Sequence, residues 1–143
     1  MTQATTSIDT EYEAGLKLYD DGTPLEDVLA HFEDLRKKAP TDVRIAVSLG
    51  WLHILLGNKQ KALAYTREAK HTAQGRFNIV LAYLAFGEKG VRERFEEALG
   101  SSDHDGLHDA MHNLKDAIAR KGGSFKPAEK MLAWIKEVHQ HHE

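Results

Sequence analysis

The stretch 44–56 constrains this chain more than any other. Its apolar residues are Ile45, Ala46, Val47, Leu49, Trp51, Leu52, Ile54, Leu55 and Leu56, interrupted only by Ser48, Gly50 and His53. A helix that is apolar all the way round has no face to give to water and must be covered on several sides. Gly57-Asn58 ends it, with Gly supplying the left-handed conformation of a helix end and Asn58 offering a side-chain oxygen to the amides of the next helix. That helix, predicted over 59–71, is amphipathic, with Ala62, Leu63, Tyr65, Thr66 and Ala69 toward the first. The unit is an antiparallel helix pair sandwiched between neighbours.

The rest of the chain reads the same way. A flexible polar tail is expected over 1–9, and Thr10-Glu11-Tyr12-Glu13 has capping-box spacing, so a helix is predicted to start there. It buries Tyr12, Leu16 and Tyr19 and ends at Asp20-Asp21-Gly22. Thr23-Pro24-Leu25-Glu26 is a second box with proline in the first turn. The helix it opens buries Leu25, Val28, Leu29, Phe32 and Leu35 and stops before Pro40, after which Thr41 or Asp42 caps the apolar helix. A break is expected at Ala73-Gln74-Gly75. The helix predicted over 76–86 is again apolar nearly all round, and Gly87-Glu88-Lys89 echoes Gly57-Asn58-Lys59. Three more helices carry the stripes Val91-Phe95-Ala98-Leu99, Leu107-Met111-Leu114-Ile118 and Met131-Trp134-Ile135-Val138. No segment alternates as a strand would. The expected fold is all-α, about eight helices in four antiparallel pairs.

Composition excludes several classes of function. A net charge of −3 and pI near 6.3 give no basic face for nucleic acid. The clusters Arg36-Lys37-Lys38 and Arg120-Lys121 close helices, where cations complement the dipole. With no cysteine, disulfides, thiolate zinc sites and thiol nucleophiles are impossible. Neither a secretory signal nor a membrane span is visible, which predicts a cytoplasmic protein without membrane insertion.

The small and large residues recur. Leu49-Gly50, His53, Gly57, Ala62, Thr66 and Ala69 have the spacing of the tetratricopeptide repeat, whose period is about 34 residues. Gly15, Tyr19, Val28, Phe32, Leu35 and Pro40 resemble the pattern one repeat earlier, with one extra residue at the turn. Ala82-Tyr83, Gly87, Val91, Phe95 and Ala98 resemble it one repeat later, shortened at the junction. The early Trp of each repeat is missing, as is the Pro expected near Gln74. The resemblance implies one domain over 10–143, with repeats at about 10–40, 42–73 and 75–99 and a terminal capping pair at about 104–141. It implies an α-solenoid, a right-handed superhelix whose first helices line a concave groove for a partner's peptide or helix.

Carrying the family's groove positions over gives Tyr12, Leu16 and Tyr19 from the first repeat, and Arg44, Val47, Ser48, Trp51 and Ile54 from the second. Phe77, Asn78 and Leu81 come from the third. That lining is mostly apolar, with Trp51 central, and aromatic anchors are where binding energy concentrates. Family members that clamp the terminal carboxylate of heat-shock chaperones use Lys, Asn and Arg. The matching places here hold Tyr12, Leu16, Ser48, Gln74 and Asn78, so the resemblance does not extend to that clamp. The expected role is a non-enzymatic adaptor or chaperone-like scaffold binding a protein or peptide partner without any cofactor, with self-association as a further reading.

The alternative rests on histidine. The chain has nine His, and His104, His108 and His112 are spaced to lie along one side of a helix, where imidazoles one turn apart can share a transition metal. Asp105 or Asp109, or His139, His141 and His142 from the last helix, would complete the shell. The opposing reading is a solvated helix edge. No His-Glu-x-x-His motif, glycine-rich phosphate loop, nucleophile elbow or isolated carboxylate pair points to catalysis.

Overall fold

The computed structural model describes residues 3–141, and side chains from residue 8 to 138. Among the described residues it is all-α, with no strand: α1 (Gln3–Asp20), α2 (Leu25–Lys38), α3 (Val43–Leu56), α4 (Lys59–Glu68), α5 (Ala73–Phe86), α6 (Val91–Gly100), α7 (His104–Arg120) and α8 (Lys126–His141). No helix is long and apolar enough to cross a membrane. The chain divides into two compact units, one ending at Ala69 and the other starting at Lys70.

In the first unit each helix packs on the next, α1 on α2, α2 on α3 and α3 on α4. Its core is Val28, Phe32, Leu35, Ile45, Leu49 and Leu52, with Tyr12, Leu16, Tyr19, Leu29 and Tyr65 packed against it. Gly15 lets α1 approach α2, because a Cβ there would stand 2.5 Å from Phe32 Cζ. Gly50 does the same for α3 and α4, where a Cβ would stand 3.0 Å from Thr66 Cγ2. On the outer side Arg36 makes a two-pronged ion pair with Glu68, its Nη2 donating to Oε1 at 2.9 Å, and its guanidinium lies over the Tyr65 ring.

Local chemistry sets the helix ends, not always as predicted. Asp42 caps α3, its carboxylate accepting from the Arg44 amide at 3.1 Å. Gly57 stops α3 at φ 80°, and the Asn58 amide reaches back to the His53 carbonyl at 2.9 Å. That is the paired return of a left-handed helix end. The Asn58 side chain does not cap α4; it turns to His53 instead. α1 starts well before Thr10, so the first capping box lies inside a helix and caps nothing. At α2, Pro24 holds the cap position itself, with no side-chain cap bond, and its fixed φ opens the helix.

In the second unit α5 packs on α6, α7 and α8, and α7 packs on α8. α5 starts at Ala73 because Thr72 caps the Gly75 amide at 2.9 Å. The expected break at Gln74-Gly75 is therefore the first turn of a helix, and α4 is correspondingly shorter than predicted. Gly87 repeats the Gly57 ending, with the Glu88 amide on the Tyr83 carbonyl at 2.9 Å. The echo stops there: α6 begins two residues beyond Lys89 rather than at it. On α7 the buried line is Ala110, Leu114 and Ala117; the bulkier Leu107, Met111 and Ile118 are half-buried. Phe95 packs against Trp134, ring centroids 5.3 Å apart, beneath the Arg92 guanidinium. Asn113 on α7 donates to Gln74 Oε1 at 2.9 Å, and Gln74 donates to Asn78 at 2.7 Å, fixing α7 to α5 through a short polar chain.

Candidate functional site: the aromatic face of α1 and α3

Two helices present side chains to each other and to solvent in the first unit. α1 carries Tyr12, Leu16 and Tyr19 one turn apart, and α3 carries Arg44, Val47, Ser48 and Trp51 at the matching turns. All seven are half-buried. Trp51 Nε1 donates to the Tyr19 hydroxyl at 3.1 Å. The Arg44 guanidinium lies 4.5 Å from the Tyr12 ring centroid, and the Tyr12 ring meets Phe32 edge-on at 6.1 Å.

Arg44 is held from two sides. Its Nη2 donates to Asp9 at 2.9 Å and to Asp42 at 2.8 Å, and its Nε to Asp42 at 3.1 Å. The hydrogen bonds it donates to Asp42 and then Asp9 push the guanidinium further toward its charged form. In return, the Arg44 side chain holds the Asp42 carboxyl below the usual carboxylate value. Burial raises Tyr12 above an ordinary phenol; Arg44 and a hydrogen bond with Ser48 oppose that. At neutral pH the face therefore offers a neutral phenol, a fixed cation and an indole already committed to a hydroxyl. It is a preordered surface of rings and polar tips.

The other four predicted groove residues lie elsewhere. Ile54 and Phe77 are each 2% exposed, Asn78 1% and Leu81 0%, so none offers surface to a partner. Their helices are apolar nearly all round, and sequence alone could not tell which side stays wet. Nor is the face oily: among the described residues the one exposed large hydrophobic side chain is Val43. The positions carried over from the family read as an apolar wall, whereas here those of α1 and of the α3 face are half-buried and joined through a hydroxyl, an indole N–H and a guanidinium.

Sequence reading missed His53. It is 1% exposed, stacked on Tyr65 with centroids 5.7 Å apart and planes within 6°, and its Nδ1 faces Asn58 Nδ2 at 3.0 Å. Asn58 donates, so Nδ1 is the acceptor and Nε2 carries the proton. Nε2 is buried with no hydrogen-bond partner. Burial pushes the imidazole toward its neutral form; Glu33 opposes that shift and Lys61 adds to it. A polar residue five before the cap position of the following helix was the available signal.

The three histidines of the spacing pattern lie on α7 in the second unit. His104 opens α7, behind the Asp103 cap, and its ring meets His108 edge-on with centroids 4.5 Å apart. Both are exposed, as is His112 one turn on. Among the described residues no group of three or more His, Asp or Glu side chains comes together so as to hold a metal ion. His139, His141 and His142 lie outside the residues whose side chains are described. Comparison with known protein families finds no matching family model, and comparison with curated proteins finds no similar one.

Proposed function

We propose that this chain is a non-enzymatic protein-interaction module of the tetratricopeptide type, binding a segment of a partner protein across α1 and α3. The observation that carries the reading is the pair of ordered contacts spanning those helices, Trp51 on Tyr19 and Arg44 on Tyr12. Half-buried aromatic rings and a fixed guanidinium are the residue types that dominate binding at protein interfaces. Because they are already held in place, little side-chain entropy is lost on binding. The repeat reading draws support from Gly15 and Gly50, which stand 35 residues apart and allow the same close approach in successive helix pairs.

The chemistry of the face narrows the partner. Tyr hydroxyls, an indole and a cation suit an extended or helical segment with apolar side chains flanking an Asp or Glu that meets Arg44. The net charge of −3 argues against nucleic acid in the same place.

The test is site-specific crosslinking in the source cell. A photoreactive residue replacing Val47 should give a small, reproducible set of partner adducts, and Trp51→Ala in the same chain should abolish them. One replacing Glu96, exposed on α6, should not yield that set. Identical adducts from both positions, or adducts that survive Trp51→Ala in a folded chain, would rule the face out.

A further inference from the structure

The second unit contains a recess of about 250 Å³ lined by Lys70, His71, Arg76, Ile79, Arg94 and Glu97. These residues come from three places, the connection before α5, the first half of α5 and the middle of α6. The positive start of α5 and the negative end of α6 lie at the same end of their hairpin and offset one another, so side chains decide the local sign.

Three fixed cations meet one carboxylate here. Glu97 is paired with Arg94, Nη2 to Oε1 at 2.9 Å. Arg76 donates to the His71 carbonyl at 3.4 Å, and among the described residues neither Arg76 nor Lys70 has a carboxylate partner. Like charges drawn together without a counter-charge repel, and a recess concentrates the field they make. That is a net positive pocket on a chain whose total charge is negative.

We propose that this recess binds the phosphoryl group of a phosphate monoester. Two uncommitted cations match a dianion, and Arg76 can present paired N–H donors to two of its oxygens while Lys70 supplies a point charge. Ile79 gives the rest of the ligand an apolar wall. The volume exceeds that of a phosphate ion alone. The His71 ring offers a further N–H donor.

The experiment follows amide shifts of the full-length protein on titration with inorganic phosphate at constant ionic strength, with sodium acetate as the control. Saturable shifts confined to residues near 70–76 and 94–97, with half-saturation at or below about 1 mM and none with acetate, are expected. Arg76→Gln should weaken the response on the order of tenfold. Glu97→Gln removes the one carboxylate and releases Arg94, so it should tighten binding rather than leave it unchanged. Stronger binding of O-phosphoserine or of AMP than of inorganic phosphate would also support the proposal and would name the source of the group. It is overturned by shifts that do not saturate, by equal shifts with acetate, by an unaltered titration of a folded Arg76→Gln protein, or by weaker binding in Glu97→Gln.

Discussion

Replacing Gly15 by Ala tests whether α1 and α2 touch as closely as the structure requires. The added Cβ would stand 2.5 Å from Phe32 Cζ and 2.8 Å from both Phe32 Cε2 and His31 Cδ2, roughly 1 Å inside ordinary contact. Neither ring can step aside freely. Phe32 is 1% exposed within the core of the first unit, and His31 is tied by Nε2 to the Glu11 carbonyl at 2.6 Å. Forcing a methyl into such a site costs about 1–3 kcal/mol. Overlap with three ring atoms puts this site in the upper part of that range, about 2–3 kcal/mol, and alanine recovers about 1 kcal/mol of helix propensity over glycine, leaving a net loss of about 1–2 kcal/mol. With a urea dependence of about 2 kcal/mol per molar, the middle of the usual range, the unfolding midpoint followed by circular dichroism should fall by about 0.5–1 M. Gly100→Ala is the internal control. No atom lies within 4 Å of its Cβ position, so only the propensity gain remains and the midpoint should hold or rise. A Gly15→Ala protein as stable as the parent would refute the close approach, and with it the main support for equivalent helix pairs.

Protonation of His53 should couple stability to pH. Its pKa is lowered in the folded state, so its neutral form favours folding above the ordinary value of 6.5, and that stability is lost as pH falls toward the folded value. The slope contributed is at most about 1.4 kcal/mol per pH unit, and urea midpoints from pH 8 to pH 5 should converge in His53→Gln relative to the parent. Parallel curves would show that the imidazole titrates normally. Asp42→Ala removes both the α3 cap and a clamp on Arg44 and should cost about 1 kcal/mol in thermal or urea unfolding. Asp42→Asn, which keeps a capping oxygen, should cost less; equal losses would mean that the cap contributes nothing. Trp51→Phe should leave the fold intact but remove the indole N–H bond to the Tyr19 hydroxyl, giving partner crosslinks weaker than the parent's and stronger than Trp51→Ala's.

Punctuation was the most legible part of the fold. Gly57 and Gly87 end helices in the left-handed conformation because only glycine adopts it without a Cβ penalty, and that information is local. The Thr72 cap was local too, but the glycine it bonds reads as a breaker when taken alone. What could not be read was which side of α3 and α5 stays wet. The Ile54, Phe77 and Leu81 side chains look like partner anchors in sequence and are core in structure, since an apolar residue carries no mark of which neighbour covers it. Arg44 was legible as a groove residue, but its fixing by Asp9 and Asp42 was not, because Asp9 lies on another helix.

The proposed repeat rests on small residues rather than on matching neighbours. Gly15 and Gly50 face unlike partners, an aromatic edge in one pair and a threonine methyl in the other. The shared feature is the missing Cβ, and the neighbouring side chains differ. Ala82, 32 residues beyond Gly50, is likewise small and 0% exposed. A constraint on how closely two backbones approach tolerates almost any surrounding sequence, provided one position stays small. On the proposed function, side-chain identities are then free to serve binding, so helix pairs keep their close approach while the aromatic and charged residues of α1 and α3 meet the partner.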